Sequence, residues 1–353
     1  MSELLDVHLA VFKKHPVFLM KTIYLTEQGS QIHKEKQRLV VKRVNDEPTL
    51  LLTKELKRII LFGNIQLTTP AIATCLQFQI LVLFLSQTGK YKGHLWSVSS
   101  TNLSVEKRQY LQQENTNFQL NIAKSVILGK LTNSRQLLLR LNRQRKQTEI
   151  ARAIANLDIT LKSVIVAEHL DNLRGYEGIG TAQYYAVFDL LITNSEFSFN
   201  KRSRRPPANP FNSLLSFGYT LLFNNVFSLV IAEQLSPYLG HLHYGERQAP
   251  YLVFDLIEEF RSPIVDSLVL KIIDRRLLKP DDFQMGRDGR GFYLTNAARQ
   301  KFIHHFEGRM NEKVTHPDVQ HPVTYRRAMQ LQIKRYKKNL FDTDCYQPFL
   351  RAR

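Results

Sequence analysis

The spacing of apolar residues changes once along this chain, and that change fixes what the chain can fold into. Between residues 20 and 96 they form short runs rich in β-branched and aromatic types. These are "KTIYLTE" and "QRLVVKRV", separated by the turn-prone "QGSQ", then "RIILFG" and "ILVLFLS", bounded by Gly, Asn and Ser. In "TTPAIATCLQF", Thr69 suits an N-cap and Pro70 a first helical position, which predicts one short helix between two strands. "SVSSTNLS" at 97–104 is a polar break. From about residue 105 the apolar residues recur three and four apart, as in "NFQLNIAKSVILGKLTNSRQLLLRLNRQRK" and "NSLLSFGYTLLFNNVFSLVIAEQL". No repeat of fixed period is present. The expectation is an α+β chain, with a small β-rich N-terminal domain over 20–99 and a larger all-helical domain over 100–353. The segment "NKRSRRPPANP" at 200–210 is too polar and Pro-rich to pack, and reads as a mobile loop between helices.

Charge narrows the class of partner. With 49 Lys and Arg against 31 Asp and Glu, the formal net charge is +18, which calls for a polyanion. The densest basic clusters carry Arg143, Arg145 and Lys146, then Arg202, Arg204 and Arg205, then Arg326, Arg327, Lys334 and Arg335. They are the expected nucleic-acid contacts, reading phosphates rather than bases. No stretch approaches the roughly 18 consecutive apolar residues of a membrane span, so no membrane role is expected. The N-terminal residues carry early acids and no small-residue cleavage site, which argues against a secretory signal. Cys75 and Cys345 lie far apart, as free thiols of a reducing cytoplasm would.

A second feature runs against the first. On a basic chain, the apolar run 251–270 carries Asp255, Glu258, Glu259 and Asp266. As a helix it aligns Tyr251, Asp255, Glu258, Ser262 and Asp266 in one stripe, flanked by Leu252, Phe254, Leu256, Ile257 and Val265. Pro263 predicts a kink or restart. Two close, partly desolvated carboxylates repel unless a proton or cation joins them, and hard oxygen ligands suit Mg²⁺ or Mn²⁺. A solvated acidic face paired with Arg247, Arg261 or Arg275 is the other reading, and Glu259 and Asp266 are assigned to it. His243, upstream in "LGHLHYG", is either a hydrogen-bonded loop histidine or a ligand. Glu177 stands between Gly175 and Gly178, ahead of a helix expected to begin near Thr181. The helical texture before it excludes a dinucleotide-binding loop. Gly178, Ala182 and Ala186, four apart, would allow a close helix approach that carries Glu177 inward. One Glu, one His and an acidic pair compose a candidate oxygen and nitrogen metal site.

Four blocks, "RGYEGIGTAQYYAVF", "RRPPANPFNSLLSFGYTLL", "LGHLHYGERQAPYLVFDLIEEFRSPIVD" and "YQPFLRAR", resemble in order those of the CRISPR spacer-acquisition integrases, the universal adaptation nuclease. "MKTIYLTEQGSQIHKEKQRLVVKR" and "RIILFGNIQLTTPAI" resemble that family's β domain, so the resemblance covers roughly residues 20–351. It implies a homodimer, with a dimerisation domain over 20–99 and a metal-dependent catalytic domain over 100–353. It also implies a divalent ion, Mg²⁺ or Mn²⁺, held by Glu177, His243 and Glu258, with Asp255 in a supporting catalytic role. The implied partners are DNA and a small second CRISPR adaptation protein. The implied reaction joins 3′-hydroxyl ends of captured DNA into the CRISPR array by transesterification, with DNA cleavage in isolation. Residues 1–19 precede the family start, which Met20 matches, and read as an extension. Pro250 and Tyr251 depart from the small polar residues common there. Tyr184, Tyr185, Tyr219 and Asn212 are candidates for positioning DNA or for plain helix core. Two other classes compete: a non-catalytic basic DNA-binding scaffold and a metal-dependent ribonuclease.

Overall fold

A computed structural model describes residues 22–43, 47–95, 102–245, 249–286, 289–342 and 346–351. The expected extension, 1–19, lies outside the described residues, as does Arg247. The chain divides into two compact units, Met1–Ser100 and Thr101–Arg353.

The N-terminal unit holds β1 (Thr22–Leu25), β2 (Gln31–Glu35), β3 (Arg38–Lys42), β4 (Thr49–Leu52), β5 (Arg58–Phe62), β6 (Gln66–Leu67), α1 (Thr69–Gln77), β7 (Leu81–Leu85) and β8 (Tyr91–His94). They form two four-stranded sheets, ordered β1-β5-β7-β8 and β4-β3-β2-β6. β5 is flanked by parallel neighbours on both sides, and its five residues are all buried. That is why "RIILF" carries an unbroken apolar run instead of alternating. Ile32, Leu39 and Val41 of one sheet meet Ile59, Leu61 and Val82 of the other in a single core, which Ala71 and Cys75 of α1 also enter. The "QGSQ" turn does not join a hairpin. It carries the chain from one sheet to the other, and the hairpin partner of β3 is β2, across Lys36 at φ 53°.

The second unit is built on helices: α2 (Leu103–Gln113), α3 (Thr116–Arg145), α4 (Thr148–Val166), α5 (Leu170–Ala186), α6 (Pro210–Ala232), α7 (Tyr251–Phe260), α8 (Ser267–Asp274), α9 (Asn296–Asn311) and α10 (Tyr325–Asn339). It is not all-helical. Two short hairpins interrupt it, β9 (Phe283–Met285) with β10 (Phe292–Leu294), and β11 (Lys313–His316) with β12 (Val319–Thr324). β9 and β10 span only three residues each, and Pro322 within β12 argues against a strand in the sequence.

Three local features position the site. α6 is capped by Asn209, whose side chain accepts from the Asn212 amide at 2.8 Å, with Pro210 in the first turn. By length and composition α6 could cross a membrane, but 72% of its most apolar window is buried in the fold, as in the core helix of a globular unit. Between α7 and α8, residues Arg261–Asp266 form a π-helical turn around Pro263. The proline cannot donate the usual backbone bond, and the wider turn absorbs the defect without breaking the rod. Residues 200–210 are anchored rather than mobile. Arg202 donates to Asn212 Oδ1 at 2.9 Å and Ser216 Oγ at 3.1 Å, and the Phe292 amide donates to Pro207 O at 3.0 Å. The polar residues that argue against packing find their partners on the first turns of α6.

Candidate active site

Glu177 lies in the middle of α5, which starts at Leu170 and not near Thr181. The helix face it shares with Gly180, Thr181 and Tyr184 turns toward α3. A Cβ at Gly180 would come within 2.6 Å of the Leu131 side chain, so the two helices close up at this glycine. Gly178 has open space where its Cβ would be, and it lies with Ala182 and Ala186 on the exposed side. The close approach expected of those three residues is therefore made by a different face of the helix. Thr181 Oγ1 donates to Glu177 Oε1 at 3.0 Å.

Across from Glu177 stands Glu258 of α7, 4% exposed. The Lys130 ammonium of α3 sits between the two carboxylates. It bonds Glu177 Oε1 and lies 2.8 Å from Glu258 Oε2. Arg261 Nη1 donates to Glu258 Oε1 at 2.7 Å. Burial alone would raise the Glu258 pKa, but the charges of Arg261, Lys130 and His243 hold it well below the usual carboxylate range. Arg261 is thus the arginine partner that the sequence offers as an alternative to metal, and it takes only one of the two oxygens. Glu258 Oε2 is buried with an ion contact but no aligned hydrogen bond.

His243 and Asp255 form the other half of the site. His243 Nδ1 lies 2.7 Å from Asp255 Oδ1, and the fully buried Asp255 also accepts from the backbone amides of His241, Leu242 and His243 at 2.6, 3.1 and 3.0 Å. Burial lowers the His243 pKa, yet the bond to Asp255 and its charge outweigh burial, and the net shift is upward. Glu258 and Lys130 act on the same ring electrostatically. Asp255 is therefore an orienting group: it fixes the Nδ1 side of the ring and leaves Nε2 on the open side. The neighbouring His241 is a core residue, 1% exposed, with Nε2 at 2.8 Å from Tyr336 Oη, and burial pushes its pKa down to about 4.

Among the described residues, no three His, Cys, Asp or Glu side chains stand close enough to form a ready ligand cluster. What the fold brings together is a pair of carboxylates, Glu177 and Glu258, sharing one cationic group. The donor set fits a hard divalent ion: two carboxylates, a nearby imidazole oriented through its far nitrogen, and a buried carboxylate oxygen with an unfilled acceptor position.

Behind this centre lies a polar cluster. Asp266 accepts from Tyr184 Oη at 2.9 Å and from Tyr219 Oη, and Tyr185 Oη is 2.8 Å from Tyr219 Oη. The Arg261 guanidinium lies 4.2 Å over the Tyr219 ring. Burial first, then the Asp266 charge, push the Tyr184 and Tyr219 phenols well above their ordinary pKa. The sequence assigns Asp266 and Glu259 to a solvated face, but they are 2% and 0% exposed. Both are satisfied from residues distant in sequence, which a stripe on one helix does not reveal. Glu259 accepts from Tyr346 Oη at 2.5 Å, the Phe349 amide at 2.5 Å and Gln332 Nε2 at 2.9 Å, while burial pushes its pKa up to about 7. The final described residues, 346–351, are clamped here. Asn133 Nδ2 donates to Phe349 O and Asn133 Oδ1 accepts from the Arg351 amide.

The basic candidates separate into two groups. Arg143, Lys146, Arg204, Arg205, Arg327 and Lys334 are exposed. Arg145, Arg202, Arg326 and Arg335 are engaged within the fold, with Leu191 O at 2.7 Å, Asn212 Oδ1 at 2.9 Å, Glu307 Oε1 at 2.7 Å and Gln347 O at 2.9 Å respectively. Asn212 is completely buried and serves Arg202 and the 200–210 segment, which makes it a structural residue.

A β-rich unit preceding a helical unit with a paired-carboxylate centre defines a class, and comparison with known proteins gives the family. The family model described as CRISPR associated protein Cas1 matches residues 23–308. The chain belongs to the Cas1 family. It is 32% identical over 342 residues to the CRISPR-associated endonuclease Cas1 2 of Rhodospirillum rubrum, covering 94% of this chain and 98% of that one. It is also 32% identical over 321 residues to a CRISPR-associated exonuclease Cas4/endonuclease Cas1 fusion of Geobacter sulfurreducens, covering 88% of this chain and 57% of the fusion. Among solved structures, it resembles TM1797, a Cas1 protein of Thermotoga maritima, with a TM-score of 0.77 at 22% identity, covering 94% and 99% of the two chains. It resembles a chain of a Cas6-RT-Cas1–Cas2 complex with a TM-score of 0.82 at 26% identity, covering 95% of this chain and 37% of that one.

Proposed function

We propose that this chain is a divalent-metal-dependent DNA endonuclease and integrase of CRISPR adaptation. The observation that carries the reading is the convergence of Glu177 and Glu258 on one cationic position, in a member of a family whose curated relatives are named endonucleases. Integration is a transesterification. A DNA 3′-hydroxyl oxygen bonds to phosphorus, the bond from phosphorus to the leaving 3′ oxygen breaks, and the proton lost by the attacking hydroxyl is balanced by one taken up at the leaving oxygen. With water as the nucleophile, the same exchange is hydrolysis. An Mg²⁺ or Mn²⁺ ion held by Glu177, Glu258 and His243 would supply Lewis-acid polarisation of the phosphate. Asp255 fixes the imidazole, Arg261 fixes Glu258, and the exposed basic residues hold the DNA backbone. The chain works as a homodimer. It assembles with a small second adaptation protein, a pairing supported by the name of the Cas6-RT-Cas1–Cas2 complex.

The test uses purified Glu177→Ala and His243→Ala variants with DNA ends and a repeat-bearing duplex. Both should bind DNA as the parent does and lose strand transfer and chelator-sensitive cleavage. Normal integration by either variant would refute the assignment. A DNA-binding scaffold would show no chelator-sensitive cleavage of any substrate, and a ribonuclease would prefer RNA in the same assay.

A further inference from the structure

We propose that the Lys130 ammonium is the resident counter-ion of the metal position, holding the place between Glu177 and Glu258 and competing with the divalent ion for it. The inference rests on the metal reading above and concerns what the site does when no metal is bound.

Lys130 belongs to the buried face of α3, in line with Ala123, Val126, Ile127 and Leu137, and its side chain is 10% exposed. A lysine in that register needs an anionic partner, and it has two. Without a cation, Glu258 at 4% exposure would leave Oε2 desolvated and unpaired beside the second carboxylate of Glu177. Arg261 does not fill that role, because it serves Oε1 and is fixed over the Tyr219 ring at 4.2 Å. Lys130 differs in kind. It is a single ammonium on a flexible four-carbon stem, able to leave without disturbing a stacked plane. The ammonium contacts Glu177 Oε1 and Glu258 Oε2, and a divalent ion would be held by the same two carboxylates. Two cations held against the same carboxylates repel, so each weakens the hold of the other. The lysine keeps the carboxylates together in the empty state and lowers the affinity of the loaded one.

The experiment measures Mn²⁺ binding by titration calorimetry, and melting in chelator, for the parent, Lys130→Met and a control, Lys124→Met. Lys124 is on the same helix and donates to Ile165 O at 3.0 Å, away from the site. Lys130→Met should bind Mn²⁺ about tenfold tighter or more, as expected for removal of a competing charge at contact distance. It should melt lower in chelator and show a larger rise in melting temperature on Mn²⁺ addition, while Lys124→Met leaves all three readings unchanged. Unchanged or weaker Mn²⁺ binding by folded Lys130→Met overturns the proposal. If that variant does not fold in chelator, refolding in Mn²⁺ decides: recovery supports the proposal and failure overturns it. Binding by the variant but not the parent supports it as the extreme case. Absence of binding in both removes the metal reading, and this inference with it. Binding by the parent with no gain in the variant removes the inference alone.

Discussion

His243 and Asp255 are joined through ring Nδ1 and Oδ1 at 2.7 Å, and the same carboxylate gathers three consecutive backbone amides of the loop that carries the histidine. One buried acid therefore sets both the path of the loop and the orientation of the ring. Asp255→Ala would leave those amides and the imidazole without their acceptor. The expected cost is about 3 kcal/mol or more in chemical denaturation, the penalty of stranding buried donors. A loss below about 1 kcal/mol would show that the loop does not depend on this carboxylate.

The last described residues should matter as much as a core helix. Phe349 is completely buried, stacked on Phe260 at 4.8 Å, and its backbone is held at both ends of the residue by Glu259 and Asn133. Phe349→Ala is expected to lower stability by about 3–5 kcal/mol. Glu259 adjoins Glu258, so the loosened tail should also weaken Mn²⁺ binding. Thermal melting with and without Mn²⁺ reads both effects, and a variant with unchanged melting would remove the tail from the core.

The parts of this fold that are legible in the sequence are those where one period dominates. β5 and β7 appear as unbroken apolar runs because both faces of each strand are covered, and α6 appears as a helix that is apolar all round. The acids of α7 and the turn after it are legible as an anomaly, but their fates are not. Asp255, Glu258, Glu259 and Asp266 face four different partners, supplied from a loop, α3, the tail and α6. Periodicity gives the face, and the partners are tertiary. Lys130 escapes the sequence reading, although it leaves a signal: a lysine in register with Val126, Ile127 and Leu137 on a buried stripe. Glu177 stands out in the sequence but is placed ahead of its helix, because the spacing of Gly175 and Gly178 resembles a phosphate-cradling loop. The weak helix propensity of those glycines is overridden by packing against α3.

Cys75 gives the N-terminal unit a pH signature. It is completely buried in the core between sheet and helix, and burial pushes its thiol from 9.0 up to about 11. The folded pKa lies above the unfolded one, so the protonated thiol favours the fold fully below pH 9. That contribution fades as pH rises toward about 11, and amounts to about 2–3 kcal/mol. Cys75→Ala should flatten this part of the alkaline stability curve. In the native parent, peptide mapping after alkylation at about pH 8, below the ordinary thiol pKa, should find Cys75 unmodified. Rapid labelling there would contradict its burial.

The basic residues should divide by effect, because a guanidinium already engaged inside the fold is not free to meet a phosphate. Arg202→Ala removes bonds to Asn212 and Ser216 and the packing of 200–210, so it should lower melting temperature and leave the salt dependence of DNA binding nearly intact. Arg204 and Arg205, two and three positions on, are exposed. Changing both to Ala should spare stability. It should also reduce the slope of log affinity against log salt by about 0.9 for each duplex phosphate that the two side chains neutralise in the parent. Titration of fluorescent duplex across salt concentrations, beside melting of the same variants, separates the two effects. If Arg202→Ala reduced the slope while the exposed pair did not, the DNA backbone would have to run over the interior side of this segment. The division between fold-holding and phosphate-binding arginines would then be reversed.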